Sequence, residues 1–318
     1  MKKLFVAILA VAAIAACAKE EIVSLDNGET IQFGNAFVNN ITRVDKAADP
    51  SLGASDTNKF TSFNVWGTVN GGNGLVSIYK GDVVSGTVGE DSQWTCESVK
   101  QYWIAGAYYK FAALANADLA KVTLDSDLLP ASVEFAANGS TDLVYAKNFG
   151  PENGGIFGLV KDNPSVNMVF EHLLSKVKFS VVNNSTTATG YSFIVENITV
   201  NGSTAGTVAL PAKTWGSLNA TSNIEFSAIT VATGDAKEEC DAEKLLIPGD
   251  VKVSCDVIIL CNGTRIGKKE IRNVEKTLAV GFAYNFVVNV AVGEEITFTV
   301  EENPKWTNDP TGFDVPVQ

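Results

Sequence analysis

The chain of 318 residues is long enough for one large or two ordinary domains, and its 46% hydrophobic residues suffice for a packed core. Its formal net charge of −12 argues against nucleic acid as a partner, because nucleic-acid binding needs a basic surface. Since the sequence holds one histidine, His172, and no CxxC pair, we expect neither a histidine-based hydrolase nor a zinc site, and no cofactor.

The amino-terminal residues indicate export and lipid attachment. A pair of lysines precedes an apolar run that is too short to span a bilayer, so residues 1–16 are predicted to be a signal peptide. The segment IAAC (14–17) resembles a bacterial lipobox, whose cysteine thiol receives a diacylglycerol. We therefore predict Cys17 as the lipid attachment site. An ordinary cleavage after Ala16 is the alternative.

Residues 17–29 are predicted to be a lipidated linker. The segment AKEE (18–21) resembles the short acidic signal that directs lipoproteins of Bacteroidales-type bacteria to the outer face of the outer membrane. A solvated linker would also carry such acidic residues. We expect a surface-exposed lipoprotein that its acyl chains, such as palmitate, hold in the outer membrane.

The rest of the chain alternates apolar and polar residues with a period of two, which is typical of β-strands. One such alternation includes Val177, Phe179 and Val181, and longer ones run over 251–259 and 282–292. Turn-forming clusters rich in glycine and asparagine separate these segments. The pattern predicts an all-β protein built from β-sandwiches.

The length of this strand-rich part predicts two sandwich domains in series. The predicted boundary lies near DNPSVN (162–167), which follows a glycine-rich stretch. The expected domains are therefore an amino-terminal sandwich over 30–165 and a carboxy-terminal sandwich over 166–318.

Two groups of residues leave alternatives open. Cys255 and Cys261 share a predicted strand and lie about 20 Å apart, too far for a disulfide. Other pairings remain possible among the four cysteines after Cys17, namely Cys96, Cys240, Cys255 and Cys261.

A cluster of aromatic residues is predicted to pack in the core, with a sugar-binding platform as the alternative. Its members are Trp94, Tyr102, Trp103, Tyr108 and Tyr109.

Four segments resemble the recurring blocks of the Bacteroidales fimbrillins, the subunits of type V pili and their relatives. They appear in family order, and the resemblance runs from about residue 30 to residue 300. The most specific part is WxxxxYYKFAALA followed by FEHLLSKVKF. The segments are FTSFNVWGTV (60–69), KQYWIAGAYYKFAALAN (100–116), DLVYAKN (142–148) and VNMVFEHLLSKVKFSVVNN (166–184).

The resemblance implies two transthyretin-like β-sandwiches, export as a lipoprotein and assembly into a surface fimbria that supports adhesion. In this family an arginine-specific protease removes the first strand, and the terminal strand of a neighbouring subunit fills the vacated groove. Such donor-strand exchange is β-augmentation, and its head-to-tail geometry gives a filament. The implied partners are therefore other fimbrillin subunits.

The sequence contains candidates for both parts of this exchange. TIQFGNAFV (30–38) is the predicted first strand. Arg43 is the predicted processing site, because it is the only arginine before Arg265 and lies in a polar, turn-rich segment. Val44 departs from the family, in which a small residue follows the cut, so an ordinary loop arginine is the alternative. The segment 296–318 either donates a strand or completes the second sandwich.

Two other functions stay open at this point. The protein could be a surface lipoprotein that does not polymerise, either as a pilus anchor or tip or as a module that binds a host protein or glycan. A hydrolase that pairs two carboxylates from distant parts of the sequence is a further alternative.

Overall fold

The structure is a computed structural model that describes residues 29–38, 61–72, 74–86, 94–96, 98–151, 154–232 and 234–303. Over these ranges the chain forms twenty β-strands and one 3-10 helix, Leu119–Lys121, which confirms the all-β prediction. Within the same ranges, no helix has the length and apolar character needed to cross a membrane.

The strands are numbered in chain order. The first ten are β1 Phe33–Val38, β2 Ser62–Asn70, β3 Leu75–Gly86, β4 Trp94–Thr95, β5 Tyr108–Ala115, β6 Val122–Leu124, β7 Pro130–Ala136, β8 Val144–Asn148, β9 Ile156–Phe157 and β10 Val166–His172. The last ten are β11 Ser175–Asn183, β12 Tyr191–Ala209, β13 Thr214–Glu225, β14 Ile229–Val231, β15 Lys237–Glu239, β16 Lys244–Leu246, β17 Gly249–Cys261, β18 Thr264–Leu278, β19 Ala283–Val290 and β20 Thr297–Asn303.

The first sheet contains eight strands in the order β2-β3-β4-β1-β10-β8-β5-β9. Since β2 also pairs with β5, seven of these strands form a closed ring of pairings, in which β1 lies between β4 and β10. Inside this ring lies the first core, a cluster of mainly aromatic side chains around Phe33, Phe63, Phe111 and Phe170.

The other two sheets form most of the carboxy-terminal half. One has the order β15-β11-β19-β20, with β16 also paired to β11. The other has the order β18-β17-β12-β7-β6, with β13 and β14 also paired to β12. Between these two sheets lies the second core, around Phe179, Val253 and Phe286. The strands β6 and β7 therefore hydrogen-bond to the later sheet, although they precede β8 in sequence.

A third core joins the outer side of the first sheet to the later strands, around Trp66, Leu114, Tyr145 and Leu245. Residues 111–115 of strand β5 form a continuous apolar run because they are buried on both faces of the strand. Its residues alternate between the first core, which receives Phe111 and Ala113, and the third core, which receives Ala112 and Leu114. A strand buried on both faces has no position for a solvated side chain.

Candidate functional site at the first strand

The predicted first strand is present as β1, which lies in the ring of the first sheet. It runs parallel to β10, with Phe33 opposite Val166 and Val38 opposite Phe170. The amide of Val166 also donates a 2.8 Å hydrogen bond to the carbonyl of Gln32. β1 is therefore held by main-chain hydrogen bonds to a strand more than 120 residues away in sequence.

The other edge of β1 contacts shorter elements. Phe33 pairs with Trp94 of β4, and Thr30 forms an isolated bridge with Tyr102. The amide of Ile31 donates to the carbonyl of Gln101 at 2.8 Å. Residues 29–38 thus fill a groove, called here the β1 groove, between β10 on one side and β4 with residues 101–103 on the other.

Over residues 30–33 the side chains alternate between the first core and the solvent, as the sequence predicts. Phe33 is only 2% exposed and meets three other rings edge-on, with centroid distances of 6.0 Å to Phe63, 5.6 Å to Tyr79 and 5.9 Å to Phe111. Ile31 is buried in the same core. Full burial of one such side chain contributes about 1.5–3 kcal/mol, so the strand contributes substantially to the first core.

The carboxylate of Glu29 accepts hydrogen bonds from a loop at one end of the β1 groove. One carboxylate oxygen accepts the amide of Asp162 at 2.7 Å, and the other accepts the amide of Asn163 at 2.7 Å and its side-chain Nδ2 at 3.0 Å. These hydrogen bonds, that of the Asn163 amide most of all, lower the pKa of Glu29. Asp162 has a φ of 60°, and such a turn directs successive amides at one anion.

Sequence reasoning missed this carboxylate contact. Glu29 and Asn163 lie 134 residues apart, and neither residue belongs to a recognisable motif. The one available signal is the position of Glu29, directly before the alternating residues of the predicted first strand.

The two predicted site residues, Cys17 and Arg43, lie outside the described residues. Strand β1 ends at Val38, five positions before Arg43. A cut after Arg43 would therefore separate the whole of β1 from the rest of the chain.

The aromatic cluster is divided between core and surface. Trp94, Trp103 and Tyr109 are buried in the first core, as core packing requires. Tyr102 and Tyr108 are exposed, and the ring of Tyr108 contacts the exposed ring of Phe157 at a centroid distance of 5.1 Å. Most of the cluster is therefore structural.

The structure also gives the surroundings of the remaining residues considered for catalysis or metal binding. His172 is buried on β10, with its Nδ1 2.5 Å from a carboxylate oxygen of Asp142. The four cysteines after Cys17 are free thiols, and burial raises the pKa of Cys255 to about 12. Among the described residues, no group of three or more His, Cys, Asp and Glu side chains is placed to hold a metal ion.

The strand that sequence analysis assigned to the carboxy-terminal end of the exchange is β20. It pairs antiparallel with β19, with Phe298 opposite Val288 and Val300 opposite Phe286. Phe298 is half-buried and stacks on Phe286 at 5.7 Å. In the described part of the chain, β20 has β19 as its one strand neighbour, so it lies at the edge of its sheet.

A sequence profile of fimbrillin-like proteins matches residues 42–306. The chain belongs to the fimbrillin-like family. A comparison with curated proteins found no match. The family is consistent with the all-β architecture, and solved structures resemble the fold of this fimbrillin-like protein over most of its length.

Two of those structures come from species of Bacteroides. A fimbrial protein from Bacteroides vulgatus has a TM-score of 0.54 and 15% sequence identity, and the match covers 87% of this chain and 99% of that one. A candidate cell adhesion protein from Bacteroides ovatus has a TM-score of 0.52 and 14% identity, and the match covers 89% of this chain and 100% of that one. At these identities the likeness concerns the fold.

Proposed function

We propose that this fimbrillin-like protein is a structural subunit of a cell-surface fimbria that assembles by protease-triggered donor-strand exchange and supports adhesion. In this proposal Cys17 carries the lipid that holds the uncut chain at the outer membrane, and Arg43 is the processing site. Other fimbrillin subunits are the partners. The observation that carries the proposal is the position of β1, which fills a groove in the first sheet. Its covalent link to the other strands of that sheet runs through the segment that contains Arg43.

The physical consequence of removing β1 supports this function. The edge of β10 would lose its partner, and the space occupied by Ile31 and Phe33 would open to water. Refilling that space with two large apolar side chains regains about 3–6 kcal/mol, in addition to the main-chain hydrogen bonds. An open strand edge beside an apolar slot is the usual acceptor in β-augmentation.

We also propose two domains in series. Strand β10 pairs with β1 and β8, whereas β11 pairs with β15, β16 and β19. The pairing therefore argues for a boundary after His172 rather than at residue 165. Since β6 and β7 pair with the later sheet, the two domains would share an extensive interface through the third core.

The proposal is tested by treating the purified uncut chain with an arginine-specific protease. The wild-type chain should be cut after Arg43 and form filaments visible by electron microscopy, whereas Arg43→Ala should remain a folded monomer. Arg265→Ala is the matched control, because it also removes one arginine but leaves the proposed site intact. Cut wild-type protein that stays monomeric at high concentration contradicts the proposed assembly.

Lipid attachment needs a separate experiment. Only a thiol can form the thioether, so Cys17→Ser should abolish incorporation of labelled palmitate and release the protein from the outer membrane. Undiminished labelling of this variant contradicts the assignment of Cys17.

A second candidate function is that of a surface lipoprotein that does not polymerise, either as an anchor or tip or as a module that binds a host protein or glycan. The exposed aromatic pair of Tyr108 and Phe157 favours it, because exposed rings supply contact area for sugars and proteins. Binding of the uncut chain to a glycan array, lost in Tyr108→Ala, would support this second function.

A further inference from the structure

Two distant segments of the chain share one short sequence. Residues 28–33 read GETIQF, and residues 293–298 read GEEITF. Glycine, glutamate, isoleucine and phenylalanine occupy the same four of the six positions in each segment. The first segment leads into β1, and the second leads into β20.

The shared residues also have corresponding orientations. In the first segment Ile31 and Phe33 face the first core, whereas Thr30 and Gln32 are exposed. In the second segment Ile296 and Phe298 pack against the second core, whereas the intervening Glu295 and Thr297 are exposed. A strand with the second sequence could therefore present the same two apolar side chains to the β1 groove on one face.

The glutamate at the start of each segment has a different environment. Glu29 is held by the amides of Asp162 and Asn163, whereas Glu294 is exposed to solvent. The loop that supplies those amides also contains internal hydrogen bonds. The Leu159 amide donates to the side-chain oxygen of Asn163 at 2.7 Å, and Asn163 Nδ2 donates to the Leu159 carbonyl at 3.0 Å.

Because these internal contacts do not involve Glu29, they would persist after its removal. Loss of residues before the proposed cut would then leave two backbone amides directed at an empty position. The nearby Lys161 adds positive charge there. Such a site suits a carboxylate, which can accept both amides at once.

We propose that the amides of Asp162 and Asn163 form a carboxylate-binding site that, in the cut chain, receives Glu294 from a second copy. Ile296 and Phe298 of that copy then fill the positions of Ile31 and Phe33. The incoming strand has the same chain direction as β1 and so lies parallel to β10. This inference rests on the proposed strand exchange and names the segment that enters the groove.

The carboxylate site would fix the register of the incoming strand. A shift by one residue turns every side chain to the opposite face, so polar side chains would face the apolar core and this register is unfavourable. A shift by two residues in one direction places Phe298 and Val300 at the positions of Ile31 and Phe33, so apolar side chains still face the core. The contact of Glu294 then adds to the difference in side-chain size in selecting the correct register. Among the described strands β20 has one neighbour in its own sheet, whereas a strand in the β1 groove lies between β10 and β4.

The test compares Glu294→Gln with Glu295→Gln in the full chain after cutting by the arginine-specific protease. Both residues are exposed in the uncut chain, so both variants should fold like the wild type. Glu295 corresponds to the exposed Thr30, so its variant is the matched control. Glu294→Gln should slow filament formation about tenfold or more, because charge-assisted hydrogen bonds are lost. Equal rates for the two variants would overturn the inference while leaving strand exchange intact.

A second measurement separates this inference from assembly itself. A fluorescent peptide of residues 293–303 should bind the cut wild-type chain, and fluorescence anisotropy should show about tenfold weaker binding for the peptide with Gln at position 294. The peptide with Gln at position 295 should bind like the wild-type peptide. Equal binding of all three peptides, or no binding, contradicts the carboxylate site even if the cut chain does not form filaments.

Discussion

The first and last strands of the described chain, β1 and β20, have similar apolar patterns but different surroundings. β1 lies between β10 and β4, and its Phe33 is almost completely buried among three other rings. β20 lies at a sheet edge, and its Phe298 is half-buried. An alternating pattern therefore predicts a strand but not how much of the fold depends on it. How much of the fold depends on a strand follows from the number of strands that neighbour it.

The largest expected difference between the two strands concerns their phenylalanines. Phe33→Ala should lower the free energy of unfolding by about 3–5 kcal/mol, because it opens a cavity between well-packed rings. Phe298→Ala should lower it by less, about 1–2 kcal/mol, because that side chain is only partly buried and lies at a sheet edge. Urea unfolding of the uncut full-length variants measures both values.

If Phe33→Ala does not fold, Phe33→Leu supplies the comparison, with a loss smaller than that of the alanine variant but larger than that of Phe298→Ala. A loss for Phe298→Ala that equals or exceeds the loss at Phe33 contradicts the different roles assigned to the two strands.

The two glutamates that precede these strands should differ in their contribution to stability. The pKa of Glu29 lies below its ordinary value of 4.5, so its stabilising contribution is present at neutral pH and is lost as the pH falls through the lowered pKa. Lys161 and the amides of Asp162 and Asn163 face this carboxylate. Glu29→Gln should therefore be less stable than the wild type at pH 7, with the difference shrinking in acid.

The control for this experiment is Glu294→Gln in the uncut chain. Its carboxylate is exposed, so the variant should be as stable as the wild type at pH 7. A Glu29→Gln profile that runs parallel to the wild-type profile down to strongly acidic pH would show that the amides of the loop do not hold Glu29 in solution.

The local pattern of the sequence predicted individual strands well. The alternation at Val177, Phe179 and Val181 became β11, and the predicted strand over 251–259 lies within β17. The segment TIQFGNAFV likewise contains β1. Buried and more exposed residues alternate over 30–33, 175–179 and 251–255, so a period of two carries the information in these segments.

Long-range pairing could not be predicted in the same way. Nothing in residues 122–136 indicates that β6 and β7 pair with a sheet formed mostly by residues after 190. The apolar run of β5 indicates burial but not the two separate cores on its faces. The contact of Glu29 with Asp162 and Asn163 depends on folding that brings residues 133 and 134 positions apart together. Such contacts are properties of the tertiary structure.

The central claim is that β1 is a separable strand whose removal opens one specific edge. Hydrogen exchange of backbone amides, measured before and after cutting at Arg43, tests it most directly. In the cut monomer freed of its first strand, we predict that β10 loses protection while β19 keeps it, and that assembly restores the protection of β10. Full protection of β10 after the strand has left, or equal loss in β10 and β19, would contradict the account.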